Sequence, residues 1–146
     1  MLKLPLLVSL LLASCAAGTC TAQEQQSLAQ LQNNARMLIV FSPDPNSASF
    51  QRQLQLIARH SFELSVRNTV VVPVSTSTKF ADDQFSFENL PLGTAGEQAE
   101  ARSRFHVRPG DFLVILLNQD GSEQIRSANP VDIHVLTASL DALPRH

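Results

Sequence analysis

Three uninterrupted apolar runs along the chain predict buried strands. Met37 to Phe41 reads MLIVF, Thr69 to Val74 reads TVVVPV and Phe112 to Leu117 reads FLVILL. Runs of this length without polar alternation are typical of strands covered on both faces of a sheet. A turn over Asn118 to Gly121 then predicts a shorter fourth strand over Glu123 to Arg126.

The segment after the first strand changes to a helical pattern. Pro43 and Pro45 prevent the strand from continuing, and either Ser47 or Ser49 can cap the helix that follows. Apolar residues at helical spacing predict its core-facing stripe, which consists of Phe50, Leu54, Ile57 and Ala58.

Two further helices are predicted downstream. One covers Glu97 to Phe105. The last is capped by Asn129, with Pro130 at its first position, where the missing N–H costs nothing. Its buried face is formed by Ile133, Leu136, Leu140 and Leu143.

The element order is therefore β-α-β-α-β-β-α, an α/β pattern. A helix crosses between the first two strands, so they run parallel, whereas the last two form an antiparallel hairpin. A mixed four-stranded sheet with helices on both faces is the thioredoxin-like architecture. We expect it to occupy residues 36–146, after a helix or linker over residues 23–35.

The first 22 residues have the layout of a secretory signal peptide. Lys3 precedes an apolar run from Leu4 to Ala13, which is short for a membrane span. Small residues before Gln23 predict cleavage there; alternatively, the lipobox-like LASC sequence predicts lipidation of Cys15. We therefore expect a secreted or periplasmic protein, whose only membrane attachment would be a lipid anchor at Cys15.

Both cysteines, Cys15 and Cys20, lie in or beside this leader. Cleavage before Gln23 removes both, and cleavage at Cys15 leaves Cys20 as one thiol on a tether. Neither outcome gives the folded domain a disulfide.

Composition narrows the classes of function. The chain of 146 residues is 44% hydrophobic and 16% charged, with a formal net charge of −2, so it lacks the basic character of a nucleic-acid binder. The spacing of the histidines and Asp82-Asp83 matches neither a zinc nor a calcium site, and no cofactor is predicted. The histidines are His60, His106, His134 and His146.

A long polar stretch from Ser75 to Gly96 interrupts the pattern of elements. Loops of this length are usually functional or disordered. Its aromatic residues would form an adhesive patch if they were exposed. These residues are Phe80, Phe85 and Phe87.

Two segments and the closing helix resemble a known family. RMLIVFSPDPNSASFQRQLQLI, ARSRFHVRPGDFLVILLNQDGSEQIRS and the Asn-Pro-Val-Asp sequence are similar to domain of unknown function 4174, over about Leu28 to Pro144. The resemblance implies a thioredoxin-like fold and an envelope or extracellular location, because bacterial members are short secreted proteins. It also implies kinship with modules of animal sushi-repeat and extracellular-matrix proteins.

Compared with a thioredoxin, the active-site positions have changed. The resemblance places the dithiol on Asn46 and Ser49, neither of which is a thiol nucleophile. Pro109 lies about two residues too early to be the cis-proline of that fold. We therefore predict no catalytic residue.

Four residues of the first loop are the predicted ligand-binding candidates: Asp44, Asn46, Ser47 and Ser49. The simplest interpretation of the two serines is that they cap the helix. Alternatively, their hydroxyls and the first-turn amides could bind an anion or a thiolate. Asp44 is simplest as a turn residue, although the carboxyl end of a parallel strand is where open α/β sheets bind ligands.

The simplest interpretation of Arg102, Arg104 and Arg108 is that they are solvated surface charges. The alternative is that they form a surface that binds a protein partner, because arginine is enriched at interfaces. The sequence as a whole predicts a non-catalytic module that binds an unknown protein partner. Its alternative is a thiol- or glutathione-binding protein, of oxidoreductase or peroxiredoxin type, that uses the loop from Asn46 to Ser49.

Overall fold

The apolar runs form strands, as predicted, in a computed structural model that describes residues 34–75 and 95–144 together with Leu28. The strands are β1 (Arg36–Ser42), β2 (Thr69–Ser75), β3 (Leu113–Leu117) and β4 (Glu123–Ser127). The helices within the described residues are α1 (Ala48–Arg59), α2 (Ser61–Ser65), α3 (Ala95–Arg104) and α4 (Ile133–Asp141).

The strands of the described region form one mixed sheet in the order β2-β1-β3-β4. β1 pairs in parallel with β2, with Ile39 opposite Val72, and antiparallel with β3, with Ile39 opposite Ile115. β3 and β4 form the antiparallel hairpin, whose turn ends at Gly121 with a φ of 82°. The predicted directions and fold class are confirmed.

Side chains of the fully buried β1 alternate between two cores. Leu38 and Val40 join the cluster beneath α1 and α4, while Met37, Ile39 and Phe41 join the cluster beneath α3. A strand that faces apolar partners on both sides has no place for polar alternation, which explains its sequence.

The α1 stripe is confirmed at three of its four predicted positions. Phe50, Leu54 and Ile57 are buried, but Ala58 is exposed and the prediction there is wrong. Gln53 is the fourth buried residue, since positions i, i+3, i+4 and i+7 form the stripe that meets the sheet.

The predicted cap of α4 is also wrong. The helix begins after Asp132, whose carboxylate accepts from the His134 N–H at 2.8 Å. Asn129 instead lies in a turn in which its backbone N–H donates to Ser127 Oγ at 3.2 Å. Leu143 follows the helix and is half-buried, whereas Thr137 belongs to the buried face with Leu136 and Leu140.

The five-residue helix α2 was not predicted. It returns the chain from α1 to β2 and ends near Asn68, which adopts a left-handed φ of 51°. Such a conformation favours asparagine among non-glycine residues. The Asn68 side chain donates to the Asn34 carbonyl at 2.9 Å and so fixes this turn against the start of β1.

The predicted leader, with Cys15 and Cys20, lies outside the described residues, as do Phe80, Phe85, Phe87, Asp82, Asp83 and His146. Within the described region, no helix is long and apolar enough to cross a membrane.

Candidate functional site

The loop between β1 and α1 is organised around the hydroxyl of Ser42. This fully buried Oγ donates to the Asp44 carbonyl at 2.7 Å and lies 2.9 Å from the Oγ of Ser47. A serine has one hydroxyl proton, and here it is already donated to Asp44. Ser47 must therefore be the donor in the contact between the two hydroxyls.

Asp44 is the turn residue that its position between two prolines predicts. Its exposed carboxylate accepts from the Asn46 N–H at 2.9 Å, and its carbonyl accepts from the Ser47 N–H at 3.1 Å. Gln51 of α1 holds the outside of the loop, since its Nε2 donates to the Pro45 carbonyl at 2.6 Å.

Ser47 lies at the cap position of α1 with extended backbone, but its side chain makes no capping hydrogen bond. The expectation that Ser47 or Ser49 caps the helix through its hydroxyl is therefore wrong. The Ser47 hydroxyl contacts Ser42 and accepts no N–H of the first turn, and Ser49 lies within the first turn, half-buried. The structure brings all four candidate residues into one loop and one helical turn, and their ligand binding remains a prediction.

Ser75 is the last residue of β2 and lies beside the end of β1, where the β1–α1 loop begins. It was not among the candidates predicted from the sequence. It is the register partner of Ser42 in the parallel pair, so both side chains leave the same face. Ser75 is 1% exposed, and its hydroxyl has no hydrogen-bond partner. Leaving a buried hydroxyl unpaired costs about 1–3 kcal/mol. Its place directly after an apolar parallel strand is the signal that could have identified it.

Arg102 approaches the same edge from α3. Although the sequence favours a solvated arginine, this side chain is 7% exposed. Its Nη2 donates to the Ser42 carbonyl at 2.7 Å, and its guanidinium carbon lies 5.8 Å from the centre of the Phe41 ring. Burial lowers the pKa of Arg102, and no carboxylate of the described residues pairs with it.

The other two arginines of that group are exposed. Arg104 lies over the Phe105 ring at 5.5 Å, and Arg108 pairs with Asp111 at 3.0 Å. Pro109 lies within this Arg108–Asp111 turn, and no cis peptide bond occurs in the described part of the chain. The proposed partner surface therefore reduces to Arg104 and Arg108.

Two histidines that are far apart in sequence lie together, one directly after the last residue of α1 and the other in the first turn of α4. The rings of His60 and His134 are 6.4 Å apart, and His60 Nδ1 lies 2.9 Å from Glu63 Oε1. The hydrogen bond from His60 is the main cause that lowers the pKa of Glu63. Among the residues that the structure describes, no group of three or more His, Cys, Asp or Glu side chains could hold a metal ion.

Comparisons with known proteins agree with this fold. A family model described as Domain of unknown function (DUF4174) matches residues 27–146. No curated protein matches the chain.

Among solved structures, a thiol:disulfide interchange protein from Bacteroides sp. is 11% identical, with a TM-score of 0.62 and coverage of 79% of this chain and 78% of that chain. Thioredoxin peroxidase I of Plasmodium yoelii is 15% identical, with a TM-score of 0.60 and coverage of 79% and 76%. At these identities the likeness shows the fold, and the chain is thioredoxin-like.

Proposed function

We propose that this chain, which belongs to the family described as Domain of unknown function (DUF4174), is an exported thioredoxin-like module that binds a protein partner without thiol chemistry. The observation that carries the proposal is the chemistry of the β1–α1 loop. Thiol exchange needs a thiolate, yet residues 34–144 contain no cysteine.

The serines of the loop do not replace that thiolate. The Ser47 proton is donated to Ser42, and the Ser42 proton is donated to a backbone carbonyl. A serine nucleophile needs an adjacent base, and in the described residues neither a histidine nor a carboxylate accepts from Ser42, Ser47 or Ser49. The loop is held rigidly by its own hydrogen bonds, which suits a binding surface.

The proposal is tested by measuring redox turnover with the mature protein, purified after the cell has processed its amino terminus. We expect the rates of insulin disulfide reduction and of peroxide consumption, each with added reductant, to equal the rates without protein. Turnover that disappears in Cys20→Ser would assign the activity to the tethered thiol. Turnover that persists in Cys20→Ser would mean that the folded domain itself is catalytic. Either result would overturn the proposal.

Export is part of the proposal. The leader with its alternative ends, before Gln23 or at Cys15, supports a secreted or periplasmic protein or a lipoprotein. The kinship with sushi-repeat and matrix modules implied by the sequence resemblance agrees with binding outside the cytoplasm. Mass spectrometry of the mature amino terminus distinguishes a Gln23 end from acylated Cys15, and an uncleaved chain would contradict export by either route.

A thiol- or glutathione-binding protein is the second candidate function. The favouring observation is Ser49, which lies in the first turn of α1 with a hydroxyl that has no partner among the described residues. Glutathione should then shift the amide resonances of residues 46–49, and S-methylglutathione, which has no free thiol, should not. Equal responses to both compounds would exclude a thiol site.

A further inference from the structure

The hydroxyl of Ser75 is a buried polar group that the fold leaves without a partner. Two buried side-chain atoms of the described residues have none, Arg36 Nε and Ser75 Oγ. The other nitrogens of Arg36 donate to the carbonyls of Arg67 and Pro144, so that guanidinium is engaged. Ser75 has no such compensation, and an unsatisfied buried hydroxyl calls for a physical explanation.

Ser75 shares a face of the sheet with the residue that contacts the amino end of α1. Its register partner Ser42 lies on the same face of the sheet, and Ser42 contacts Ser47, the residue at the cap position of α1. The direction of the Ser75 side chain therefore follows from strand pairing.

The amino end of α1 lacks both a capping side chain and an acidic residue. Its cap side chain makes no capping hydrogen bond, and its first turn has no acidic residue. In a helix of 12 residues, the first-turn N–H groups and the helix dipole favour a negative charge at this end.

A positive charge lies beneath the same edge. Arg102 lies buried against Phe41 on the opposite face of the sheet from α1 and donates to the carbonyls of Ser42 and, at 3.4 Å, Arg108. It has no carboxylate partner among the described residues. A buried charge is normally paired, so this guanidinium favours an anion nearby. The exposed carboxylate of Asp44, on the outside of the loop, opposes that preference and limits affinity.

We propose that the edge formed by the ends of β1 and β2 binds a small oxyanion. The first-turn amides of α1 and the hydroxyl of Ser75 donate to it, and Arg102 adds a positive charge from the opposite face of the sheet, without contacting it. The oxyanion belongs to a free phosphate or sulfate or to the carboxylate of an organic ligand. The inference does not depend on whether the module also binds a protein.

The test is a titration of the full chain with phosphate, sulfate, acetate and S-methylglutathione at constant ionic strength. Amide resonances of Ala48, Ser49 and Ser75 should shift and saturate with at least one of these anions. The tightest of the four identifies the source of the oxyanion. Shifts that are absent, or that do not saturate, would overturn the proposal.

Ser75→Ala gives the sharper result because it separates binding from folding. Removing an unpaired hydroxyl should raise the Tm in anion-free buffer, while the Kd for the anion rises about fivefold. Ser139→Ala is the matched control, because it removes a half-buried hydroxyl from α4, whose last residue, Asp141, pairs with Arg67 just before the start of β2, away from the proposed site. A lower Tm or an unchanged Kd in Ser75→Ala would overturn the role of Ser75.

Asp44→Asn tests the sign of the ligand charge. Removal of the exposed carboxylate should lower the Kd for an anion by about threefold. Weaker binding in this variant would mean that the site prefers a cation or a donor group, which would contradict the proposal.

Discussion

Gln53 of α1 and Val131 ahead of α4 form a reciprocal pair of hydrogen bonds. The Val131 N–H donates to Gln53 Oε1 at 2.6 Å, and Gln53 Nε2 donates to the Val131 carbonyl at 3.2 Å. Gln53 is completely buried, so one amide side chain satisfies both backbone groups of Val131 where water is excluded. This pair joins two helices on the same face of the sheet.

We expect Gln53→Ala to lower the free energy of unfolding by roughly 2–4 kcal/mol, because both backbone groups of Val131 lose their partner. Gln55→Ala changes an exposed glutamine of the same helix and should stay within about 0.5 kcal/mol of the wild type. Urea unfolding of both variants measures the difference. Equal losses would show that the Gln53 pair contributes nothing specific.

Arg102→Gln removes the charged donor to the Ser42 carbonyl. We expect a loss of about 1.5–3 kcal/mol in unfolding free energy, together with shifted amide resonances at Ser42 and Ser47. Arg104→Gln, on the exposed face of α3, should cost less than about 1 kcal/mol and leave those resonances unchanged. Unchanged loop resonances in Arg102→Gln would contradict the link from α3 to the loop.

Alanine variants of Asp132 and Asn129 show which of the two residues caps α4. Asp132→Ala should cost about 1 kcal/mol because the His134 N–H loses its acceptor. Asn129→Ala should stay within about 0.5 kcal/mol, since the side chain of Asn129 makes no capping bond in the structure. Thermal unfolding compares the two, and a larger loss for Asn129→Ala would restore the sequence-based prediction.

Glu63 gives the fold a pH dependence of known sign. Its pKa is lowered from the ordinary value of 4.5, mainly by the hydrogen bond with His60, so its stabilising effect is present above 4.5 and is lost as the pH falls through the lowered pKa. Glu63→Gln should therefore be less stable than the wild type well above 4.5 and equal to it in strong acid. Glu100→Gln, an exposed control, should show no such convergence.

The sequence predicted those parts of the fold that depend on patterns within one segment. The run from Met37 to Phe41 identified a strand buried on both faces, and a single helix between β1 and β2 required them to be parallel. The turn chemistry of Asn118 to Gly121 gave the hairpin. These features need no knowledge of what packs against them.

The errors arose where a distant partner decides the outcome. Gln53 is buried because Val131 offers two backbone groups, 78 residues away in sequence. Arg102 is buried with the Ser42 carbonyl as its acceptor, and the Ser47 hydroxyl contacts Ser42 and accepts no first-turn N–H of α1. The loop candidates could be identified from the end of β1, but Ser75 joins them only through strand register.

The measurement that tests the central claim most directly compares the wild type with the double variant Asn46→Cys, Ser49→Cys in the insulin disulfide assay. The account predicts no turnover above the no-protein rate for the wild type and measurable turnover for the double variant, because the two cysteines supply the attacking thiolate at the amino end of α1 and the second thiol that resolves it. Turnover by the wild type, or none by a folded double variant, would contradict it.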